Sequence, residues 1–425
     1  MSPVDDSGSS RARSPSLLVF GRLGASALAL VSAPIVARAI GPDGRGETAA
    51  AIALFLIVPV LIGVGLPLEV RRQAATTDGH AVLRSAKILV AIAVLPAAGL
   101  AGLAWFTLFS EFDPFARLVA SIGITMAPLA VSWAMDVSVL VAHRRYRAVF
   151  AMQLTQPSVY LVLLLGFWAS GHATVATVLI ANLGGMVGSF VLGIVLVPFP
   201  IIGPRAPMVP LVRSGLKFFG SSIAEIASNR IDQVIALPLI GPAAAGIYSV
   251  AATIGAVPLA IGQALGASYF QPIAQADGAA RRRRQAEATR VAVAAALIGT
   301  PVVALLAWPL IPVVFGELFA PAVPVTMIVL VGSAAMLAAY VVSMALAADG
   351  RGIRMTVAQV VSLAVGVAAL FAFGPWLGAF GAAIASTIAF LVLLTVLIIG
   401  LGLPLREVVP RPRDFLRAMK RLLRD

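Results

Sequence analysis

Between residues 216 and 240 an apolar run carries an unusual density of polar side chains: Ser222, Glu225, Asn229, Arg230, Asp232 and Gln233. At about 100° per residue of helix, Ser222, Glu225, Asn229, Asp232 and Gln233 share one stripe, and Arg230 lies just beyond its edge. Arg230 and Asp232 point apart, so they do not pair within the helix. Such a face suits a wet cavity or an ion pair with a neighbouring helix. Other groups invite the same question. Asp136 lies about two turns before His143 and is a candidate proton or cation site. Arg22 and Arg38 sit near opposite ends of the first apolar run, where each can snorkel to head groups or face inward. Glu69, beside Arg71 and Arg72, reads as a solvated rim. Gln153, Gln156, Asn182 and Gln263 can hydrogen-bond between helices or along a polar path. The chain has no Cys, which excludes disulfides and thiolate metal sites, and its His80, His143 and His172 are too scattered for a metal cage. No metal or other cofactor is expected.

The elements that must position these groups follow from composition. Of 425 residues, 60% are hydrophobic and 12% charged, against roughly 25% charged in ordinary soluble domains. A soluble core of this length cannot hide so much apolar surface, whereas a bilayer can. Apolar runs of about 20 residues lie at 17–40, 46–68, 86–109, 117–141, 148–170, 174–197, 216–240, 243–268, 289–314, 321–347, 354–374 and 378–402. They are too long, and alternate too little, for β-barrel strands. The expected fold is all-α, a polytopic membrane protein with about twelve transmembrane helices.

Charge sets the topology. The net charge is +13, but the basic residues lie between apolar runs rather than on a soluble face, which argues against nucleic acid. Of the 31 Lys and Arg, 27 fall before or early in span 1, in the even-to-odd connections or in the tail; Arg38, Arg45, Arg117 and Arg230 are the rest. The positive-inside rule then places both termini in the cytoplasm of a multi-pass cell-membrane protein. The connections on the other side are too short to fold into a catalytic domain.

The halves repeat. Ile40-Gly41-Pro42-Asp43-Gly44-Arg45-Gly46 at the end of span 1 matches Ile240-Gly241-Pro242-Ala243-Ala244-Ala245-Gly246 at the end of span 7, offset by 200 residues. Gly ends one helix and Pro opens the next, where its missing N–H costs nothing. Arg147–Gly166 and Arg354–Gly374 echo each other too, each with an early Gln (Gln153, Gln359). Two six-helix lobes in parallel topology are expected, 17–200 and 201–402, after a polar, disordered N-terminus (1–16). Such repeats usually hold a substrate site between the lobes near the midplane. Pro34, Pro59, Pro96, Pro128, Pro157, Pro238, Pro258 and Pro301 favour kinks within spans. Gly184, Gly185 and Gly188 form a close-packing face. The tail, 403–425, reads as a basic amphipathic helix: Phe415, Leu416, Met419, Leu422 and Leu423 recur with helical spacing among Arg413, Arg417, Lys420, Arg421 and Arg424, a pattern suited to the anionic inner leaflet.

The turn Arg38-Ala39-Ile40-Gly41-Pro42-Asp43-Gly44-Arg45-Gly46-Glu47, Gly65-Leu66-Pro67 at the end of span 2, Asn229-Arg230-Ile231-Asp232 with Gly246-Ile247-Tyr248, and Leu377-Gly378-Ala379-Phe380-Gly381 at the start of span 12 together resemble the polysaccharide transporter branch, the Wzx-type oligosaccharide flippases, of the MATE-like flippase superfamily. The resemblance covers nearly the whole chain, and its motifs are mostly structural. It implies a non-enzymatic exporter that moves a polyprenyl-diphosphate-linked oligosaccharide across the cytoplasmic membrane by alternating access, for cell-surface polysaccharide biosynthesis. Arg38 and Arg230 would meet the diphosphate, with Glu225, Asn229 and Gln233 also lining the cavity. Asp136, Asp232 or Glu225 would carry a coupling H+ or Na+. Expected partners are the lipid-linked saccharide, membrane lipids, and a glycan polymerase and glycosyltransferases of the same pathway. An ion-coupled multidrug antiporter of the same fold is the alternative, a lipid II flippase a close variant, and a membrane glycan polymerase or ligase the least favoured reading, since no long outer loop is present. No Gly-rich loop followed by Lys and Ser/Thr occurs, which argues against ATP hydrolysis.

Overall fold

A computed structural model describes residues 16–74, 79–198 and 202–424; nearly all of the expected N-terminal segment 1–16 lies outside them. Among the described residues there is no strand. The helices run in order α1 (Ser16–Gly63), α2 (Leu66–Ala74), α3 (Gly79–Ile92), α4 (Val94–Phe106), α5 (Pro114–Thr125), α6 (Ala127–Ala142), α7 (Tyr146–Ala169), α8 (Val175–Leu196), α9 (Met208–Ile240), α10 (Pro242–Gly255), α11 (Val257–Ala274), α12 (Gly278–Leu310), α13 (Ala322–Ala348), α14 (Gly352–Leu377), α15 (Ala379–Leu401), α16 (Leu405–Val408) and α17 (Pro412–Arg424).

By length and apolarity, 10 helices are able to cross a membrane. One of them, Phe20–Gly63, has 44 residues, twice the roughly 20 a crossing needs, and bends at Gly41, so it makes two crossings. Helix α9 has 33 residues and is long enough, but Glu225, Arg230 and Asp232 lower its apolarity. With that division the expected twelve crossings are accounted for. Crossings 3, 4 and 8 are broken, at Ala93, Met126 and Ala256, and Pro128 and Pro258 lie in the first turn of the segment after the break. There the ring's fixed φ and missing N–H favour a helix start rather than a mere bend.

The chain divides into two compact units. The first holds the residues up to Ile40 and Ala50–Ile226; the second holds Gly41–Ala49 and the residues from Ala227 onward. The division passes through α9 and through the kink of α1, so neither helix belongs wholly to one unit.

In the first unit, small residues let helices approach closely, as they must where apolar burial gives little drive between lipid-solvated helices. A Cβ on Gly184 would fall 2.5 Å from Leu163, and one on Gly185 2.5 Å from the Gln156 carbonyl oxygen, so this glycine face of α8 packs on α7. The linker before α9 is pinned to α3: Arg84 donates to the Pro204 carbonyl, Ser85 Oγ donates to the Ala206 carbonyl at 2.8 Å, and Ala206 N–H donates to the Ala81 carbonyl. Glu69 departs from the solvated rim expected of it. It is fully buried and accepts from Arg72 Nε at 2.9 Å and Gln73 Nε2 at 2.5 Å. The Arg72 hydrogen bond, then Gln73 and the charges of Arg72 and Lys217, hold its carboxyl below the ordinary value of 4.5 despite burial.

In the second unit α13, which carries no charged residue, is the central helix, packed by α10, α11, α12 and α15. Its core side chains Leu337, Val342 and Leu346 are inaccessible to solvent. The tail helix α17 docks on this unit. Ala418 is fully buried, Phe415 packs on the core, and Arg290 Nε meets Asp414 at 3.0 Å.

Candidate functional site

The polar face of span 7 enters the second unit at Ala227. Asn229, Arg230, Asp232 and Gln233 are all half-buried there, and Asp232 is the residue around which a site is built. Helix α9 ends at Ile240, Gly241 takes φ 83° and ψ 162°, and Pro242 opens α10. In this hairpin Asp232 and Tyr248 lie at similar distances from the turn, roughly 11–13 Å along each helix at 1.5 Å per residue, so they meet at one height. The Tyr248 hydroxyl donates to one Asp232 carboxylate oxygen, and the Gln233 N–H donates to the other at 2.9 Å. A carboxylate away from water requires such donors.

Beside this cluster lies a small cavity of about 30 Å³, lined by Ser228, Asp232, Ser362 and Ser386 among apolar residues of α9, α14 and α15. One carboxylate with convergent hydroxyls suits a proton or a small cation with oxygen ligands. Of this group, sequence reasoning singled out Asp232 as a site residue. Tyr248 was visible only as part of the Gly-Ile-Tyr motif. Ser362 and Ser386 carried no signal, because single serines in apolar runs are ordinary.

Asp136 lies in the first unit with a different partner. It is inaccessible to solvent, and Lys87 Nζ of α3 meets its Oδ2 at 2.7 Å and the Ser132 hydroxyl at 2.5 Å. Its Oδ1 has no hydrogen-bond partner. Lys87, read from sequence as a connection charge, is thus an intramembrane residue that neutralises Asp136. The α8 backbone approaches at Gly193, where an added Cβ would sit 2.7 Å from Oδ2. His143, two turns away, bonds its own helix at the Val139 carbonyl.

Arg38 and Glu225 are exposed and belong to the first unit. Within the second unit Asp232 and Arg230 form no ion pair, as their opposed directions on the helix require.

The repeated turns occupy equivalent conformations. Gly41 has φ 69° and ψ −175°, and Gly241 has φ 83° and ψ 162°, a region open essentially only to glycine. The first turn, Gly41–Ala49, packs inside the second unit. A Cβ on Gly46 would strike the Pro242 carbonyl oxygen, and one on Gly246 would strike the Pro42 carbonyl oxygen. The contact is reciprocal at the 200-residue offset, as a local two-fold demands. Arg45 Nη2 donates to Thr253 Oγ1 at 3.2 Å alongside it.

An all-helical scaffold with twelve crossings, an internal repeat and carboxylates buried within spans defines a class, the polytopic membrane transporters. Within that class, residues 12–270 match the family model described as polysaccharide biosynthesis protein, and the chain belongs to that family. It is similar in fold to the lipid II flippase MurJ in an inward closed conformation, at 14% identity and a TM-score of 0.72, covering 95% of this chain and 91% of that one. It is similar also to a multidrug resistance MATE family transporter of the MOP superfamily in an inward-facing conformation, at 15% identity and a TM-score of 0.63, covering 96% and 99%. A third is a MOP superfamily transporter from Pyrococcus furiosus, at 15% identity and a TM-score of 0.56, covering 97% and 95%. A search of curated protein sequences gives no match. The chain is accordingly a multi-pass membrane protein of the flippase and transporter kind.

Proposed function

We propose that this protein moves a polyprenyl-diphosphate-linked oligosaccharide from the inner to the outer leaflet of the cytoplasmic membrane by alternating access. The single observation that carries the reading is the match of residues 12–270 to a polysaccharide biosynthesis family in a chain whose span 7 bears a polar face. Arg230 and Arg38 are the groups for the diphosphate, since a guanidinium matches its oxygens in forked geometry; Glu225, Asn229 and Gln233 contact the saccharide. Both termini lie in the cytoplasm, as the basic connections require.

Asp232 is the better of the acids for ion coupling. Asp136 is already neutralised by an ammonium at 2.7 Å, and a cation would have to displace Lys87. Asp232 has a neutral tyrosine and a backbone amide for partners and opens onto a cavity with serine hydroxyls. An H+ or Na+ arriving there changes the net charge of the site, which can bias two states of the lobe. The reciprocal Gly46–Gly246 contact seats the outer turn in one of the two states, and the reading has it part in the other.

The experiment is export of the surface glycan in cells carrying Arg230→Ala, with the protein level in the membrane measured in parallel. Export is expected to cease at unchanged level; unchanged export removes the assigned site. A multidrug antiporter is the second reading, favoured by the fold shared with the MATE transporter. It requires that a cationic drug, rather than a lipid-linked saccharide, protect Asp232 from carboxyl-modifying reagents.

A further inference from the structure

The amphipathic pattern of the tail reads as a helix that lays its apolar side on a membrane. In the structure part of that side is already taken. In α17 the docked face consists of Asp414, Phe415 and Ala418. Asp414 is 2% exposed, accepts from Arg411 N–H at 2.9 Å at the head of its own helix, and pairs with Arg290 of α12. Arg290 also donates to the Glu407 carbonyl at 3.0 Å, so α12, the segment of α16 and α17 are tied at one buried guanidinium. Such a bridge is costly to break from one side, because it leaves a buried charge without a partner.

The basic positions follow a different face. At about 100° per residue, Arg413, Arg417, Lys420 and Arg424 occupy helix positions within roughly 60° of one another, on a face turned from Ala418. Arg413 is exposed, Arg417 is half-exposed while reaching Glu287 at 3.3 Å, and Leu416 at the border of this stripe is 57% exposed. Val409 just before the helix is 61% exposed, and Arg406 and Arg411 are exposed as well. This is the end of the second unit to which the basic connections belong, so it stands at the membrane surface.

We propose that the outward stripe of α17 binds anionic phospholipid head groups of the adjoining leaflet, and that the Arg290–Asp414 bridge holds it in position to do so. With Phe415 packed on the core and the exposed side chains at this end chiefly arginines, the attraction is chiefly electrostatic: it grows with the anionic fraction and fades with salt, since the surface potential decays within a Debye length. Leu416 and Val409 add only a shallow apolar contact. An acidic protein partner could use the same charges, but it would give no dependence on lipid composition in the purified protein. The inference does not depend on what the protein transports.

The test uses the full chain, which lacks cysteine, with Leu416→Cys carrying an environment-sensitive fluorophore. The protein is placed in phosphatidylcholine vesicles with or without about a third phosphatidylglycerol, and quenching by a head-group nitroxide lipid is read. Quenching is expected to rise about twofold or more with the anionic lipid, to fall back at high salt, and to lose its lipid dependence in Arg413→Glu/Lys420→Glu. Equal quenching in both vesicles, or a rise that survives both charge reversals, overturns the proposal. Asp414→Ala separates position from attraction: the label is expected to become mobile while the lipid preference of the free tail persists. A label as immobile as in the parent protein would overturn the role given to the bridge.

Discussion

At the scale of single residues, the two carboxylates within spans behave differently because their partners differ. Asp136 is one half of an ion pair whose other half, Lys87, is mostly buried. Lys87→Met leaves the acid unpaired and is expected to cost about 3–5 kcal/mol of stability, read as a lowered melting temperature in detergent; Lys87→Met with Asp136→Leu is expected to recover most of it. Recovery of transport in that double variant would confirm a structural pair, whereas loss of ion dependence at full stability would make Asp136 a coupling residue. Tyr248→Phe removes one hydrogen bond to a charged group and is expected to weaken the protein by about 1.5–3 kcal/mol, while Asp232→Asn should abolish the response of transport to the ion gradient. Glu69 gives a pH dependence. Its folded value is held below 4.5, so its stabilising contribution is present above that value and is lost as pH falls through the lower folded one. Glu69→Gln is expected to flatten this acid limb of a melting-temperature profile, and an unchanged limb would remove Glu69 from the account. None of these pairings was legible in the sequence. Lys87 and Asp136 are 49 residues apart, and helical periodicity orders residues within a helix but not between helices. Glu69 beside two arginines looks the same whether its rim is wet or buried.

At the scale of elements, most of the fold was written in the apolar runs, because a bilayer demands about 20 of them in a row and satisfies no backbone group outside a helix. The exceptions have physical causes. The Gly41 turn adds no residues between spans 1 and 2, so the two run together with a bend. Breaks at Ala93, Met126 and Ala256 rest on local backbone choices that a proline two or three residues later only hints at. The tail was half legible: its periodicity gave a helix, but nothing in it marked Asp414 as the buried partner of Arg290. The repeat was the most informative pattern, since it named in advance the two glycines whose backbones meet. Gly246→Val places a side chain against the Pro42 carbonyl and is expected to unseat the Gly41–Ala49 turn, measured as faster amide exchange in residues 41–49. Exchange at the parent rate would show that the contact tolerates a side chain and is no close seat.

At the scale of the molecule, the proposed alternating-access transport of a lipid-linked saccharide predicts that the outer turn parts from its seat in each cycle. Arg45→Cys/Thr253→Cys, bridged by a short bis-maleimide, should hold that turn in place, since the parent side chains already touch at 3.2 Å and the chain offers no other thiol. The most direct measurement is a flipping assay in proteoliposomes with a fluorescent polyprenyl-diphosphate oligosaccharide whose head group is bleached from outside. Protein-dependent access of the inner pool to the bleach is expected, lost in Arg230→Ala, arrested by the cross-link and restored when a reducible cross-linker is cleaved. Bleaching confined to the outer pool, in vesicles where the same protein exchanges a cationic drug for protons, would contradict the account.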